Sequence, residues 1–581
     1  MSSSPTFLQL AKNCKRDMSG LQTYRLALLG DCATQHLSTA LKGYAYTKGL
    51  ALDVLDADYN QVIPQVIDSN SEMYSFKPDA ILLYLCSERL YAQWCETAQD
   101  ARISFANTVL TSIQQYWGHI ASNCVAQVLQ FTFVENDDFA FGNYAYQNET
   151  SFIYQLKKLN MLLMERSNAS KVFLVDLNTI QSRIGRNNFY DAKLYYFAKM
   201  PISLVAMPLV AESVVRIIQS LLGDVKKCIV LDLDNTLWGG VIGDDGLSGI
   251  EIGELGAGLA YTEFQAWLKE LKKRGILLAV CSKNEEAAAK EPFKKHSDMI
   301  LRLEDFAIFV ANWENKAANI RYIQQTLNIG IDSMIFIDDN LFERDLVRSL
   351  IPEITVPELP DDPAEYLTYL QKLNLFETVS FSSEDAKRTD QYRAEAQRTA
   401  IQQQYSNFNE YLQSLEMVAT YAPFDNFHIA RIAQLTQRSN QFNLRTIRYT
   451  ESEINAASEN PDLITVYFTL KDKLADHGLI SVVILEKRDS KTLFINTWLM
   501  SCRVLKRGME EFVINSIINI AQQNGFETVI GEYLKSAKNS MVAGIYEKLG
   551  FVKTSEGVFT ANVNSFLFNK TFIKEGQHEP Q

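Results

Sequence analysis

The first third of the chain alternates short apolar runs with segments in which apolar positions have helical spacing. The runs are too short for helices and are bounded by glycine or polar residues, which favours buried strands. They cover residues 26–30, 80–85, 125–131 and 171–176. Strands that alternate with helices predict a parallel sheet. We therefore expect a first α/β domain over residues 1–220.

The same alternation continues beyond this point. Further apolar runs at residues 227–230, 276–281 and 334–337 predict three more strands. A helical pattern over 261–275 ends at a glycine, which is a common stop signal. The stretch 356–363 is rich in proline and acidic residues and is typical of a domain edge. A second α/β domain is expected over residues 221–365.

The rest of the chain has a different character. A polar stretch from about residue 382 to 415 predicts a solvated connecting helix, so we assign residues 366–415 to a linker. An apolar strand over 496–503 and a helix over 509–523 follow, joined by a glycine turn. They indicate a third domain of strands around two helices over residues 416–575. The end, residues 576–581, is expected to be disordered.

Polar side chains follow all three strands of the second domain. They are Asp232 and Asp234 after the first strand, Ser282 after the second, Asp338 and Asp339 after the third, and Lys316 on the helix before the last strand. The carboxyl ends of parallel strands meet at one edge of a sheet, where such sheets bind ligands. The spacing therefore predicts one site.

This set of residues suits phosphoryl transfer. Asp232 would attack phosphorus, and Asp234 would protonate the leaving oxygen and later activate water. Ser282 and Lys316 would hold the phosphoryl oxygens as charge shifts in the transition state. Oxygen ligands favour Mg²⁺. The expected metal site is Asp232, Asp234, Asp338 and Asp339, completed by a backbone carbonyl.

A second candidate nucleophile lies in the first domain. Cys32 follows Gly30 and Asp31 at a strand-to-helix turn, and a helix N-terminus lowers a thiol pKa. This position favours an acyl-accepting thiol, whereas the alternative is a small buried hydrophobe. Asp191 is not followed by a histidine three residues later, so a hydrolytic triad is incomplete. A thiol needs less help from a base than a hydroxyl, which favours acyl transfer.

The third domain contains a weaker candidate cleft. Arg507 and Gly508 form a basic turn between a strand and a helix, where backbone N–H groups bind phosphate. Asn539, the first residue of the stretch 539–551, is a further candidate for this cleft. The segment 436–443 adds amides and an arginine that would line the cleft. A polar, capped helix end explains the same residues equally well.

Charge and cysteine usage narrow the class of protein. A net charge of −13 argues against a nucleic-acid partner. No apolar run is long enough to cross a bilayer, and the N-terminus lacks the pattern of a secretory signal. The eight cysteines include no Cys-x-x-Cys pair, which indicates reduced thiols in a cytoplasmic protein rather than disulfides or zinc.

Several motifs resemble those of known families. The four strand-end motifs resemble the haloacid dehalogenase (HAD) superfamily, and their wider sequence resembles its FkbH-like branch, HAD subfamily IIIC. The stretches concerned are Asp232-Leu-Asp-Asn-Thr-Leu-Trp-Gly-Gly, Val280-Cys-Ser-Lys-Asn, Ala311-Asn-Trp-Glu-Asn-Lys and Phe336-Ile-Asp-Asp-Asn. The Gly-Asp-Cys turn at Cys32 resembles that of SGNH hydrolases, and residues 539–551 resemble the closing motif of GNAT acyltransferases. The resemblance runs from about residue 26 to 567.

The resemblance implies a fold and a function. It implies three domains: a flavodoxin-like or SGNH-like parallel sheet, a HAD-like Rossmannoid sheet with a minimal cap, and a GNAT-like α+β domain. The implied activity takes a glyceryl unit from 1,3-bisphosphoglycerate, dephosphorylates it and loads it on the phosphopantetheine arm of an acyl carrier protein for polyketide-type biosynthesis. Asn143 corresponds to an oxyanion-binding asparagine of SGNH enzymes, although a turn residue is an equal alternative.

Two other functions remain open on the sequence. The chain would be a stand-alone Mg²⁺-dependent phosphatase if the flanking domains only select its substrate. Alternatively, the first and last domains would be protein-binding scaffolds without catalysis. A gene for a carrier protein or a polyketide synthase beside this one would favour carrier loading.

Overall fold

The computed structural model describes most of the chain. The described residues are 5–136, 138–381, 389, 392, 398, 401, 405, 407–439, 441–536 and 538–577, with the side chain of Arg503 excepted. Most of the connecting helix predicted from residue 382 and residues 578–581 of the predicted tail lie outside them. Gly576, the first residue of that tail, donates its N–H to the carbonyl of Ala419 at 2.8 Å.

The chain divides into two compact units, Met1–Gln219 and Ser220–Gln581. The first unit contains one sheet and the second contains two. The predicted boundaries of the second and third domains remain predictions, because both of those segments belong to one compact unit. No helix in the described ranges combines the length and the apolar character needed to cross a membrane.

The first unit is built on a five-stranded parallel sheet in the order β2-β1-β3-β4-β5. Its strands are β1 Gln22–Gly30, β2 Leu50–Asp56, β3 Ala80–Tyr84, β4 Gln127–Phe131 and β5 Val172–Val175. This is the flavodoxin-like strand order, which confirms the expected fold class. The helices are Phe7–Asn13, Gln35–Thr47, Val62–Ile67, Glu72–Phe76, Ser87–Glu96, Phe105–Asn123, Phe152–Ser167, Leu177–Ile184, Arg186–Phe189, Ala192–Ala198 and Met207–Leu221, the last of which contains the division between the units.

The first sheet of the second unit has four parallel strands in the order β8-β7-β6-β9. They are β6 Cys228–Leu231, β7 Leu277–Ser282, β8 Phe306–Ala311 and β9 Met334–Ile337. Its helices are Ile242–Gly249, Gly256–Lys273, Glu286–Lys295, Lys316–Leu327, Leu341–Leu350 and Tyr366–Lys372. All residues of β6, β7 and β9 are buried, so polar groups can reach solvent only beyond the strand ends.

The second sheet of this unit is mixed and has eight strands in the order β15-β16-β14-β13-β12-β11-β10-β17. They are β10 Val418–Ala422, β11 Leu463–Lys471, β12 Asp476–Lys487, β13 Thr492–Met500, β14 Thr528–Glu532, β15 Val552–Ser555, β16 Val558–Asn562 and β17 Lys574–Glu575. The helices are Phe408–Ser414, Ile429–Arg438, Glu451–Glu459, Met509–Gln523 and Ile545–Lys548. Strands β13 and β14 run parallel and are joined through the helix Met509–Gln523, as expected for the GNAT-like α+β domain.

Candidate active site

Three carboxylates meet at the carboxyl edge of the four-stranded sheet. Asp232 directly follows β6, and Asp338 and Asp339 follow the neighbouring strand β9. The backbone N–H of Asp232 continues the ladder by donating to the carbonyl of Ile337 at 3.0 Å. One carboxylate oxygen from each of the three aspartates lies within 4.8 Å of the others. The fold therefore brings Asp232, Asp338 and Asp339 together at the strand ends, where the sequence predicted a site.

Lys316 provides the positive charge of this cluster. It is the first residue of its helix, whose N-cap, Asn315, accepts a hydrogen bond from the N–H of Ala317. Its Nζ lies 2.9 Å from Oδ2 of Asp232 and 2.5 Å from Oδ2 of Asp338. The lysine is only 3% exposed. Burial opposes its charge, but the two carboxylates outweigh burial and raise the pKa of Lys316.

The carboxylates are crowded and hard to ionise together. Burial, followed by the negative charge of Asp232, raises the pKa of Asp338 to about 7, against the opposing effect of Lys316. The same two causes raise the pKa of Asp339. Like charges in a buried site repel one another. A further cation would therefore stabilise the fully ionised cluster.

A divalent metal fits these residues. Oδ1 of Asp232 is buried and has no hydrogen-bond partner among the described residues, and such an atom normally has one. The three grouped ligands are carboxylate oxygens, which suit a hard cation such as Mg²⁺. The carboxylate of Asp234 is outside this group of three, and its predicted part in the metal site remains a prediction.

Asp234 is instead held firmly by three donors. They are Nε1 of Trp238 at 3.0 Å, the N–H of Ile242 at 3.0 Å and Nδ2 of Asn284 at 2.8 Å. The turn that follows Asp234 is tight, because Asn235 has a positive φ of 52° and its Oδ1 accepts the N–H of Gly240. The side chain of Asp234 therefore has a fixed direction, as a proton-transfer group requires.

Ser282 and Asn284 join this arrangement from the neighbouring strand. Ser282 is the last residue of β7 and is 2% exposed. Nδ2 of Asn284 lies 3.1 Å from Oγ of Ser282 as well as 2.8 Å from Asp234. Asn284 was not predicted as a site residue. The only signal was its place two residues after Ser282, in the same loop.

Two further residues position the third strand end. Oγ1 of Thr236 donates to Oδ1 of Asp339 at 3.2 Å and accepts the N–H of Asp339 at 3.1 Å. The guanidinium of Arg344 donates to the carbonyls of Asp338 at 2.8 Å and Asp339 at 2.5 Å. Thr236 lies within a quoted motif and Arg344 follows another by four residues, but neither was predicted as a site residue. Thr236 links the loop after β9 to the loop after β6, and Arg344 ties the loop after β9 to the helix that follows it.

Cys32 lies at the predicted turn of the first unit but is buried, with 2% exposure. Its helix begins three residues later, at Gln35. The expected lowering of its pKa is wrong for this structure, because burial raises the pKa of the Cys32 thiol. Burial removes the water that would stabilise a thiolate. The role of Cys32 as an acyl acceptor remains a prediction.

The two other SGNH-type positions, Asn143 and Asp191, lie on separate helices of the first unit. Asn143 is exposed on the short 3-10 helix Gly142–Tyr146, so its oxyanion role remains a prediction. Asp191 caps the helix Ala192–Ala198 by accepting the N–H groups of Lys193 and Leu194. The carboxylate in the hydrolase position is thus used for a helix cap.

The polar residues predicted for the third domain are buried and well connected. Nη1 of Arg507 lies 3.4 Å from Nε2 of His477 and 3.6 Å from Oδ2 of Asp472. Gly508 has a φ of 85° and its carbonyl accepts the hydroxyl of Thr571. Hydrogen bonds within the fold explain both residues. Phosphate binding at this turn remains a prediction.

Asn539 links two backbone segments. Its Nδ2 donates to the carbonyls of Asn443 and Leu534, both at 2.9 Å, and its Oδ1 accepts the N–H of Ser536 at 2.7 Å. Asn539 is fully buried. Its amide is therefore occupied inside the fold, and its place in a ligand cleft remains a prediction.

The end of the segment predicted to line the cleft forms backbone hydrogen bonds with the end of β13. The N–H of Leu444 donates to Trp498, the N–H of Met500 donates to Phe442, and the N–H of Leu534 donates to Leu444, at 3.2, 3.0 and 2.9 Å. Residues 442–444 thus connect the end of β13 with Leu534, which lies just after β14. Asn440, within the predicted lining segment, lies outside the described residues.

Comparison with known proteins agrees with this architecture. Residues 25–219 match the family model described as FkbH, N-terminal domain. A crystal structure of the N-terminal part of the protein BF1531 from Bacteroides fragilis, containing a phosphatase domain complexed with Mg, is 45% identical. It matches with a TM-score of 0.62 over 65% of this chain and 100% of that chain. No curated protein sequence matches the chain significantly.

Weaker structural likenesses are found among acetyltransferases. The S18-alanine N-acetyltransferase of Escherichia coli is 13% identical, with a TM-score of 0.20 over 25% of this chain and 94% of that chain. An N-acetyltransferase from Staphylococcus aureus is 16% identical, with a TM-score of 0.20 over 26% of this chain and 99% of that chain.

The strand-end carboxylates on a parallel sheet, together with Lys316 and Ser282, define a member of the HAD superfamily. Within that superfamily, the family model and the 45% identical relative establish that the chain belongs to the FkbH-like family.

Proposed function

We propose that the chain is a Mg²⁺-dependent HAD-type phosphatase coupled to acyl transfer. It takes a glyceryl unit from 1,3-bisphosphoglycerate, removes the phosphate and loads the unit on the pantetheine thiol of an acyl carrier protein. The buried cluster of Asp232, Asp338, Asp339 and Lys316 carries the phosphatase half of this proposal. The similarity to a phosphatase domain complexed with Mg supports it.

Asp232, Asp338 and Asp339 are the residues that would hold the metal. When bound, Mg²⁺ supplies positive charge that offsets the carboxylates and the phosphoryl oxygens. The unpartnered Oδ1 of Asp232 and the raised pKa values of Asp338 and Asp339 all fit a site that accepts a cation.

The phosphatase half proceeds in two steps. Asp232 attacks the phosphorus of the 3-phosphate, the bond from phosphorus to the substrate oxygen breaks, and Asp234 donates a proton to that oxygen. Asp234 then takes a proton from water, which attacks the aspartyl phosphate and releases inorganic phosphate. Lys316 and Ser282 stabilise the phosphoryl oxygens in both transition states.

The acyl-transfer half uses the other phosphate of the substrate. An acyl phosphate is an activated carboxyl group, so a thiolate at Cys32 would attack its carbon and expel inorganic phosphate without ATP. The pantetheine thiol would then take the glyceryl group by thioester exchange. The burial of Cys32 supports transfer over hydrolysis, because a dry site protects a thioester from water.

The stand-alone phosphatase is the second candidate. Asn539, predicted for the cleft of the third domain, has its amide hydrogen-bonded inside the fold, and the Cys32 thiol has a raised pKa. Both observations favour a chain in which the flanking domains only select the substrate.

Two variants separate the halves of the proposal. Asp232→Asn should reduce the rate of phosphate release from a phosphomonoester by several orders of magnitude, because it removes the nucleophile and a metal ligand together. Cys32→Ala should block carrier loading more strongly than this phosphate release. Inorganic phosphate and the mass of the carrier are measured for each variant.

Near wild-type phosphate release by Asp232→Asn would disprove the site assignment. Normal carrier loading by Cys32→Ala would remove the thiol intermediate, and loading would then be direct transfer to the pantetheine thiol.

A further inference from the structure

A cavity of about 440 Å³ lies at the carboxyl edge of the five-stranded sheet. It is bordered by Asp31, which follows β1, and by Leu85, which follows β3. Strand β2 lies on one side of β1 and the later strands lie on the other, so the order of the strands reverses between β1 and β3. Sheets of this kind bind ligands at such a reversal. The volume also falls in the range of small-molecule sites, about 300–1,000 Å³.

The interior and the rim of this cavity differ in character. The interior is bounded by apolar side chains that are buried or half-buried, which include Leu85, Leu90, Phe105 and Ile113. The rim carries uncharged polar side chains that are exposed, which include Asn60, Gln93, Thr108 and Ser112. Thr108 and Ser112 lie one turn apart on the helix Phe105–Asn123. An occupant therefore meets hydroxyl and amide groups at the rim and apolar groups inside.

Few charges border the cavity. Among the described residues that line it, Asp31 carries the one negative charge and Arg89 the one positive charge. The guanidinium of Arg89 donates to the hydroxyl of Tyr59 at 3.3 Å and to Oδ1 of Asn60 at 2.9 Å. A bisphosphate carries several negative charges, and its enclosed oxygens need more donors than one arginine offers. The cavity therefore suits a largely uncharged ligand and not 1,3-bisphosphoglycerate.

Asp31 places one side of the cavity next to the candidate nucleophile. Its N–H donates to the carbonyl of Tyr84 at 3.1 Å, and its Oδ1 accepts the N–H of Cys86 at 2.9 Å. A carboxylate oxygen of Asp31 lies within 4.8 Å of the Sγ atoms of Cys32 and Cys86, although neither cysteine lines the cavity. A ligand that reaches Asp31 therefore comes close to Cys32 while that thiol stays out of bulk water.

We propose that this cavity binds the pantetheine chain of the carrier, with the thiol end of the chain at Asp31. Pantetheine is elongated and uncharged between its phosphate and its thiol. Its methylene groups contact the apolar interior, its amide and hydroxyl groups form hydrogen bonds at the rim, and its phosphate stays in water outside. The inference rests on the proposed function, because it takes the carrier as the partner. It holds whether the glyceryl group passes through Cys32 or directly to the pantetheine thiol.

The site is tested by titrating the full chain with pantetheine, followed by ligand-observed NMR, with 3-phosphoglycerate as the anionic comparison. Pantetheine should bind the wild type. Thr108→Trp should weaken this binding by about tenfold or more, because the indole takes up ligand space at the rim, and Ser112→Trp should have the same effect. Thr111→Trp is the matched control, since Thr111 is exposed on the same helix but does not line the cavity. This variant should bind pantetheine as the wild type does.

Two results would overturn the pantetheine site. One is that pantetheine fails to bind the wild type, or binds Thr108→Trp and Ser112→Trp as tightly as Thr111→Trp. The other is that 3-phosphoglycerate displaces pantetheine and loses its own binding in Thr108→Trp, which would assign the cavity to the phosphorylated substrate.

Carrier loading separates this site from the proposed function. With the holo-carrier as substrate, Thr108→Trp should raise the KM for the carrier by about tenfold, whereas Thr111→Trp should leave it unchanged. If the wild type binds pantetheine in the cavity but loads no carrier, the site stands and the proposed function fails. If Thr108→Trp and Ser112→Trp load the carrier with the KM of the wild type, the proposed function stands and the cavity is not the site of the arm.

Discussion

Replacing Lys316 with methionine tests the electrostatic design of the candidate active site. Methionine keeps most of the apolar stem of lysine and removes the charge. Asp232 and Asp338 would then face each other without the ammonium group that now lies 2.9 and 2.5 Å from their Oδ2 atoms. We expect the variant to lose both catalytic rate and metal-free stability.

The size of each effect follows from burial. Removing one partner of a buried ion pair costs about 3–5 kcal/mol, and the three side chains here are at most 10% exposed. The compact unit that contains the site spans residues 220–581, and at about 2.1 cal/mol/K per residue its entropy of unfolding is roughly 0.8 kcal/mol/K. That loss therefore corresponds to roughly 4–7 °C in the unfolding midpoint without metal. Loss of one donor to a developing oxyanion reduces the rate by about 10²–10³-fold.

The assay compares phosphomonoester hydrolysis at saturating Mg²⁺ and the thermal midpoint in EDTA. Lys295→Met is the matched control. Nζ of Lys295 lies 2.7 Å from Glu291, but the lysine side chain is 65% exposed. A surface pair of this kind contributes about 0.3–0.5 kcal/mol, so the control should keep its rate and its midpoint within about 2 °C.

One result would refute the reasoning. If Lys316→Met hydrolysed the substrate within about threefold of wild type, Lys316 would not stabilise the transferred phosphoryl group. If its midpoint in EDTA also equalled that of Lys295→Met, the buried carboxylates would not depend on the lysine charge.

Two further predictions concern the metal and a buried histidine. Excess EDTA should reduce phosphate release to background and added Mg²⁺ should restore it, because the predicted ligands are all oxygen donors; full turnover in EDTA would remove the metal from the account. Burial lowers the pKa of His477, so the unfolded chain takes up a proton on this histidine at a higher pH than the folded protein does. The free energy of unfolding therefore has its full value above about pH 6.5, the pKa of an unfolded histidine, and declines as the pH falls below it. The thermal midpoint of wild type should therefore fall more between pH 7 and 5 than that of His477→Gln, and equal slopes would contradict this assignment.

Apolar runs located most of the strands in the two parallel sheets because their residues are buried on both faces. The runs ending near Gly30, Ile337 and Ser282 each became a strand that ends within a residue or two of its prediction. Two strands of these two sheets were not predicted. Strand β2, Leu50–Asp56, becomes more exposed toward its end, and β8, Phe306–Ala311, includes residues that are only half buried. A strand whose residues are partly exposed has a weaker apolar pattern in its sequence.

The sequence predicted those residues of the candidate site that directly follow the ends of parallel strands. Parallel pairing places Asp232 beside Asp338, so sequence order and sheet geometry suffice for these residues. The partners of Asp234 were not predictable in this way. Trp238 and Asn284 reach it from different loops, and the geometry of those loops depends on turns that the apolar pattern does not describe.

For Cys32 the sequence predicted the position of the residue but not its environment. Its place at a turn before a helix was predicted, but its burial and its neighbour Cys86 were not. Only the pairing of β1 with β3 brings the two thiols together, because they are far apart in sequence. Burial then reverses the expected direction of the Cys32 pKa shift.

The central claim is that one chain joins phosphate removal to the loading of a carrier. The most direct measurement is the intact mass of a holo-acyl carrier protein after incubation with this enzyme, Mg²⁺ and 1,3-bisphosphoglycerate. The account predicts a mass increase of one glyceryl unit without phosphate on the pantetheine arm, which is absent when Asp232→Asn replaces the wild type. Release of inorganic phosphate with an unmodified carrier would contradict the account and leave the stand-alone phosphatase.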